Sequence, residues 1–353
     1  MAAASDVSFP FFHPPGCPRP ECRGLPPRPD LLSYFRSYAT SSYPGGIALF
    51  RCSRCRRSFS LRRFSVEFYL HRHHRTVAAL EQLVSSCSLR QAARASGSLG
   101  RAALARRLER FGLHAHRLLR RALRERLPVE RDTFVLDEAE TFEIDRRMGP
   151  LTVPVLLHRR SRYVLAAHVG TLAPRIRPSD RRWRPRLERA LLPRRNQSRR
   201  VASRCLAALD RVRRGAAVVL ATDEKPAYRS LLRQHDRGTA VTHRTTSSRV
   251  PRRTWNPLFQ VNQTLAMVRD GLSRARRRTW CASKRRGRLW CHLGLYFAWK
   301  NFVRLRTNEA KETPAQAIGL TKRRWGTEDL VRWRLDLGRL SLSPWVPEPA
   351  TRS

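Results

Sequence analysis

The sequence predicts an α/β protein built on a mixed sheet, with a small cysteine-bearing module and a run of short helices before it. Three observations carry this. Apolar runs across residues 133–223 follow the order strand, strand, strand, helix, strand. Cysteines fall in two close pairs, Cys17/Cys22 and Cys52/Cys55. Between them and the apolar runs, helical stripes are interrupted by Ser96-Gly97. The divisions that follow are 1–15 as a tail, 16–68 as the cysteine module, 69–130 as the helical module, 131–305 as the sheet domain, and 306–353 as a final helix and tail.

Charge narrows the function. The 353 residues carry 72 Lys plus Arg against 27 Asp plus Glu, a net charge of +45, and only five of those basic residues are lysine. Such a chain repels itself strongly unless it works beside a polyanion, nucleic acid first and anionic membrane second. Guanidinium forks grip phosphate through two parallel hydrogen bonds where an ammonium acts as a point charge. A hydrophobic share of 41% against 28% charged residues supports a real core, which excludes a disordered basic tail. No apolar run approaches the roughly 18 residues of a membrane helix, so no membrane partner is expected. Residues 1–7 lack the charged-then-apolar order of a signal peptide. Eight cysteines are too sparse for a disulfide scaffold, which fits a reducing, cytoplasmic setting.

The elements follow in order. Cys17 and Cys22 form a C-x4-C pair in the proline-rich stretch 16–29, and Cys52 and Cys55 form a C-x2-C pair after Ile47-Ala-Leu-Phe50, a short strand entering a knuckle. Four thiolates from two such pairs suit one tetrahedral Zn²⁺, whose binding would supply the folding energy that so small a region lacks. The alternative is four free thiols in a proline-broken segment. His13 is an alternative ligand, and His71, His73 and His74 read as a basic helix face rather than a metal cluster.

Residues 76–85 carry a helical stripe (Val77, Leu80, Val84), Ser88 caps a second short helix over 88–95, and a third helix begins over 98–111 with Leu104, Leu108 and Phe111 in register. Helix, glycine turn, helix is the helix-turn-helix pattern, in which the second member lies in the DNA major groove. Arg101, Arg106, Arg107 and Arg110 are then the DNA-contacting residues, the alternative being a plain helical hairpin with solvated arginines.

Acids are scarce, so their positions are informative. A strand over 133–137 runs into an acidic patch headed by Asp137, two more β-like runs span 151–157 and 163–172 around a turn at 159–161, 201–212 reads as a helix, and 216–223 as a buried strand ending in Asp223. This is the order of the RNase H-like fold, in which the first and fourth strands lie side by side and would bring Asp137 beside Asp223. Paired carboxylates suit Mg²⁺ or Mn²⁺, and two such ions about 3.5–4 Å apart can drive phosphodiester transfer. Downstream, a short helix is expected over 227–234 and a longer one over 256–274. Arg274, Arg276, Arg277, Arg278 and Lys284 then form a basic stripe along a helix, interleaved with Trp280 and Trp290, that would clamp a DNA backbone. Aromatics over 289–303 read as core, and Trp325, Leu330 and Trp333 as one more amphipathic helix.

At the knuckle Phe50-Arg-Cys-Ser-Arg-Cys-Arg-Arg-Ser-Phe59, at Leu136-Asp137-Glu138 and at Thr222-Asp223-Glu224-Lys-Pro-Ala-Tyr228, the chain resembles the DDE-type transposases of small bacterial insertion sequences. The front half looks like the short DNA-binding reading frame of the first-numbered insertion-sequence family, here joined to its catalytic frame, and the resemblance covers roughly residues 15 to 335. It implies a zinc ribbon and helix-turn-helix that recognise element ends, and an RNase H-like catalytic core using Mg²⁺ or Mn²⁺. It also implies DNA ends and target as partners, a homo-oligomer in the transposition complex, and nucleoid association. Asp137 matches the first catalytic carboxylate and Asp223 the second. The pattern departs at the third. Phe259 and Leu265, near Asn262, occupy positions where an acid is expected, Asp236 is badly placed, and Asp270 is the substitute, giving three catalytic aspartates. The alternative is a non-catalytic, transposase-derived DNA-binding protein that has lost its third carboxylate.

Overall fold

The computed structural model describes residues 14, 16–22, 28–40, 43–64, 66–68, 70, 75–97, 99–125, 127–175, 191, 193–235, 240–247 and 249–333. His13, His71, His73, His74, Asp236, the polar stretch 176–190 and the C-terminal tail lie outside these residues. The chain divides into two compact units, one of residues 1–77 with 331–344 and the other of residues 78–330 with 345–353. Among the described residues no helix is long and apolar enough to cross a membrane.

The first unit is a three-stranded antiparallel sheet of β1 (Leu32–Thr40), β2 (Tyr43–Cys52) and β3 (Ser58–Ser60), in that order. Strand β1 escapes the sequence reading because seven of its nine residues, 33–39, are exposed and present no alternating apolar face. Register pairs Tyr34 with Phe50, a bulge at Phe35 breaks the alternation, and Phe50 pairs with Phe59 on β3. The core on this face is small: Cys22, Leu32, Ala48, Phe50, Cys52 and Phe59, with Cys17, Cys55 and Leu61 at its margin.

The second unit begins with the predicted helices. Helix α1 spans Thr76–Val84 and α2 spans Leu89–Ser96. Ser88 closes a reciprocal capping box with Gln91, which satisfies two otherwise orphaned N–H groups. Gly97 ends α2 at φ 63, a left-handed conformation that glycine adopts without a Cβ penalty. Helix α3 (Arg101–Ala122) runs much further than the stripe alone indicates.

The sheet of this unit is formed by β4 (Thr133–Phe142), β5 (Pro150–His158), β6 (Val164–Ala167) and β7 (Gly170–Thr171), then, after helix α4 (Ser198–Arg213), by β8 (Val218–Asp223) and, after helix α5 (Pro226–His235), by β9 (Val241–Thr246). Its order is β6-β5-β4-β8-β9, with β7 pairing β5. β5 runs antiparallel to both neighbours, while β4, β8 and β9 are mutually parallel. Strands one to five of the core therefore lie in the order 3-2-1-4-5 with only the second reversed, the RNase H-like arrangement expected from the apolar runs. Every residue of β5 is buried, as its unbroken apolar stretch requires of a strand covered on both faces. The turn from β5 to β6 falls where predicted, held by the Arg162 N–H on the His158 carbonyl (2.8 Å) and by Ser161 Oγ against His158 Nδ1 (2.8 Å).

Helix α6 (Phe259–Gly271) packs on β4 and β5, and α7 (Arg286–Phe302) packs along α3. The α3–α7 approach is close. A Cβ on Gly112 would sit 2.3 Å from the Cys291 carbonyl oxygen, and one on Gly294 would sit 2.5 Å from the His116 ring. His116 in turn stacks on Trp290, ring centroids 3.6 Å apart. The aromatics Tyr296, Phe297 and Phe302 are buried, as the core reading of α7 predicts. Short helices α8 (Pro314–Ala317) and α9 (Thr327–Arg332) follow.

Candidate active site

The acidic centre is assembled by strand register. Leu136 on β4 pairs with Thr222 on β8, so Asp137 and Asp223 are the next residues on neighbouring parallel strands. Both line one cleft of about 400 Å³, together with Arg146, Arg175, Arg252, Arg269 and Arg277. Burial pushes the Asp137 carboxyl up to about 6, and the nearby Asp223 charge adds to the rise. Two carboxylates forced this close, one of them largely desolvated, repel each other until a cation or proton joins them. The Glu138 N–H donates to Asp137 Oδ1 (2.7 Å) and the Lys225 N–H to Asp223 Oδ1 (3.2 Å), which fixes one oxygen of each.

The role of Glu138 is not evident from the sequence. Neighbours along a strand point to opposite faces, so Glu138 turns away from Asp137 toward α4 and α5. There it accepts from Lys225 Nζ (2.7 Å), Tyr228 OH (3.0 Å), Ser198 Oγ (3.0 Å) and Thr152 Oγ1 (2.5 Å). Lys225 and Tyr228 belong to the segment just after Asp223, so this buried knot ties the end of β8 to β4. Pro226 opens α5 with its ring at a position needing no N–H donor. The only sequence signal was Lys225-Pro-Ala-Tyr228 standing just behind Asp223-Glu224.

The third aspartate is placed elsewhere. On α6 the residues lining the cleft are Asn262, Leu265 and Arg269, spaced i, i+3, i+7 along one helical face. Asp270 follows Arg269 by one residue, about 100° around the helix. It is exposed, lies outside the cleft lining, and its charge acts on Tyr296. Helical phase thus sets Asp270, the expected third carboxylate, apart from Asp137 and Asp223.

The basic residues also divide. Arg101 and Arg106 are exposed and Arg110 is half-buried, but Arg107 is only 5% exposed, because its side of α3 faces the interior. Likewise Arg274 is 7% exposed, and burial pulls its guanidinium down to about 10. Neither is positioned to meet a phosphate. Arg276, Arg277, Arg278 and Lys284 are exposed, yet they do not lie along a helix: α6 stops at Gly271, a short turn spans Ser273–Ala275, and α7 starts only at Arg286. Thr279 is the local cause. Its hydroxyl donates to the Ser273 carbonyl (3.0 Å) and accepts from the Cys281 N–H (2.9 Å), offering the backbone an alternative to helix.

In the first unit the four cysteines converge as their spacing predicts. The sulfurs of Cys17, Cys22, Cys52 and Cys55 all lie within 4.8 Å of one another, and Cys17 Sγ is 3.7 Å from Cys55 Sγ. Zn–S bonds of about 2.3 Å at tetrahedral angles put sulfurs roughly 3.8 Å apart, so the residues present fit that ion. Burial opposes ionisation of Cys52, yet the N–H groups of Cys55 and Arg54 directed at its sulfur bring the thiol below its ordinary value.

No protein-family model and no curated protein matches the chain. Among solved structures it is similar to the Mos1 strand transfer complex, at 12% identity over 72% of this chain and 74% of that one, with a TM-score of 0.27. It is also similar to a pre-cleavage Mos1 transpososome, at 14% identity over 72% of this chain and 75% of that one, with a TM-score of 0.25.

Proposed function

We propose that this protein is a transposase-type enzyme that binds DNA ends and carries out metal-dependent phosphodiester cleavage and strand transfer. The observation that carries the reading is the pairing of Asp137 and Asp223 on adjacent parallel strands at the floor of an arginine-lined cleft. Carboxylates surrounded by guanidiniums make a poor phosphate site alone, since the acids repel the substrate that the arginines attract. Asp137 and Asp223 would hold a divalent cation, which would remove that conflict and polarise a phosphoryl oxygen as a Lewis acid.

The chain's own groups do the rest. Arg252, Arg269 and Arg277 hold the backbone phosphates, and Asp137 and Asp223 fix the place at which the cation would be held beside them. A water or 3′-hydroxyl oxygen forms the new P–O bond as the opposite P–O bond breaks, the attacking group's proton passing to solvent and the departing oxygen taking a proton from solvent to leave as an alcohol. In this reading the cysteine ribbon, with zinc, and the exposed Arg101 and Arg106 of α3 engage the ends, and the protein works as a homo-oligomer.

A second reading, a DNA-binding protein without catalysis, is favoured by one observation, the displacement of Asp270 from the cleft. Cleavage of end-containing DNA in Mg²⁺ or Mn²⁺ separates them. The enzyme reading expects nicking that Asp137→Asn and Asp223→Asn each reduce to background while DNA affinity is kept. Nicking by both variants at the wild-type rate would overturn the site, and a wild-type protein that binds but never nicks would establish the second reading.

A further inference from the structure

We infer that the edge strand β1 is a binding site for single-stranded DNA, in which Tyr34, Phe35 and Tyr38 stack on unpaired bases and the arginines beside them take the phosphates. The inference rests on the reading of the cysteine ribbon as an end-binding module, deepens it by naming the form of DNA bound, and is independent of the acid pair.

Among the described residues five large apolar side chains are exposed, Tyr34, Phe35, Tyr38, Trp255 and Trp280, and three of them stand on this one strand. All of residues 33–39 are exposed, and among the described strands β1 pairs with β2 alone, which leaves its outer edge open. A cluster of exposed rings on a strand edge marks a surface that something covers. The rings are not loose. Tyr34 meets the Phe50 ring edge-on with centroids 6.2 Å apart, and Arg36 Cζ lies 5.5 Å from the centre of the Phe35 ring. Register sets Tyr34 opposite Phe50 and Tyr38 opposite Ile47, with the bulge at Phe35 between them. Opposed residues share a face and Phe50 and Ile47 lie on different ones, so the rings stand on both sides of the edge. An extended chain of nucleotides, whose bases turn independently, can reach both.

Charge identifies the occupant. Arg36 on β1, Arg51 opposite Ser33 on β2, and Arg54 and Arg56 in the knuckle are exposed. The acids Glu21 and Asp30 are held by Arg57 (3.7 Å) and Arg28 (2.7 Å). A second copy docking edge to edge would bring these like charges together, which disfavours it. Phosphate answers them, and arginines set among rings match the alternation of phosphate and base along a strand. A duplex satisfies the arginines but not the rings, because its base faces are closed within the stack. Unpaired nucleotides satisfy both.

Binding of oligothymidine and of a DNA duplex to the full-length protein with zinc supplied tests this, read by fluorescence anisotropy in salt high enough to weaken phosphate contacts. Phe35→Ala and Tyr38→Ala are each expected to lose about tenfold in oligothymidine affinity and to keep their duplex affinity. Phe35→Tyr, which keeps a ring, is expected to bind as the wild type does. Phe35→Leu, which keeps apolar area without a π face, is expected to behave as Phe35→Ala. Hydrogen exchange across residues 47–52 checks that β2 is formed in each variant. Oligothymidine affinity unchanged in the alanine variants overturns the inference and leaves the proposed function standing. Equal loss for both probes also overturns it, because the rings would then serve a general DNA contact. Alanine variants that dissociate an oligomer yet keep oligothymidine affinity would make the edge a contact between copies, and the inference falls. A wild type that binds neither probe overturns the inference and the proposed function together.

Discussion

Among the described residues of the cysteine ribbon, four sulfurs and a small set of apolar side chains around Phe50 and Phe59 form the core against the three strands. The sheet-and-helix unit instead buries Phe134, Leu136, Tyr163, Phe111 and Tyr296, and a dense polar knot at Glu138 lies beside the candidate active site. A region too small to close an apolar core depends on metal bonds. A region with a large core can accommodate desolvated and mutually repelling charges where function requires them. The two therefore fail in different ways, and substitutions in one are expected to leave the other's stability unchanged.

The largest expected effect is in the ribbon. Cys52→Ser removes one sulfur from the cluster for which zinc is proposed, and such binding is worth about 10–16 kcal/mol in small zinc folds. Hydrogen exchange across residues 32–60 is expected to lose its protection in the variant, and in the wild type under a strong chelator, while residues 133–158 keep theirs. Protection that survives in the ribbon would show that its strands fold without metal.

Next comes Glu138→Ala. Removing one partner of a buried charge pair costs about 3–5 kcal/mol, because the other is left without compensation; here that partner is the Lys225 ammonium, with the Tyr228 hydroxyl beside it. Lys225 is 35% exposed, so water softens the loss and about 2–3 kcal/mol is the expected cost. The measurement is the melting temperature of the larger unit. Zinc content should not change, and a loss of zinc in this variant would break the separation of the two units.

How much of this was legible in the sequence follows from the forces involved. Strands β4, β5 and β8 were readable because burial on both faces leaves apolar runs, and the pairing of Asp137 with Asp223 followed from their order. The cysteine cluster was readable because thiolate spacing is dictated by one ion. Strands β1 and β9 were not, since both lie at sheet edges and are largely exposed. The helical phase of Asp270 was not readable, because spacing near Asn262 leaves it open until the face of α6 that meets the sheet is known. Arg107 and Arg274 failed because a basic residue in a basic stretch carries no sign that its side is covered. Glu138 was hidden by its neighbour: two adjacent acids on a strand look alike, and only the pleat turns the Glu138 carboxylate into the knot.

The smallest expected effect has the opposite sign. Asp137 titrates at about 6 in the folded chain against an ordinary 3.8, so the folded state binds its proton more tightly than the unfolded state does. A carboxyl shifted this way adds stability at low pH that is lost as pH rises through 6, leaving an ionised group the fold would prefer neutral. Asp137→Asn removes that penalty and keeps an oxygen for the Glu138 N–H. In metal-free buffer at pH 7.5 the variant should be more stable by about 2 kcal/mol, roughly 5 °C in melting temperature for a unit of this size. At pH 4.5, where the folded wild type is already protonated, the gain should shrink by more than half. Saturating Mn²⁺ should reverse the order at pH 7.5, because only the wild type has the carboxylate that joins Asp223 in holding the ion. A variant no more stable than the wild type without metal would mean that the large apolar unit carries no charge strain at its cleft. The contrast with the ribbon would then be one of core size alone.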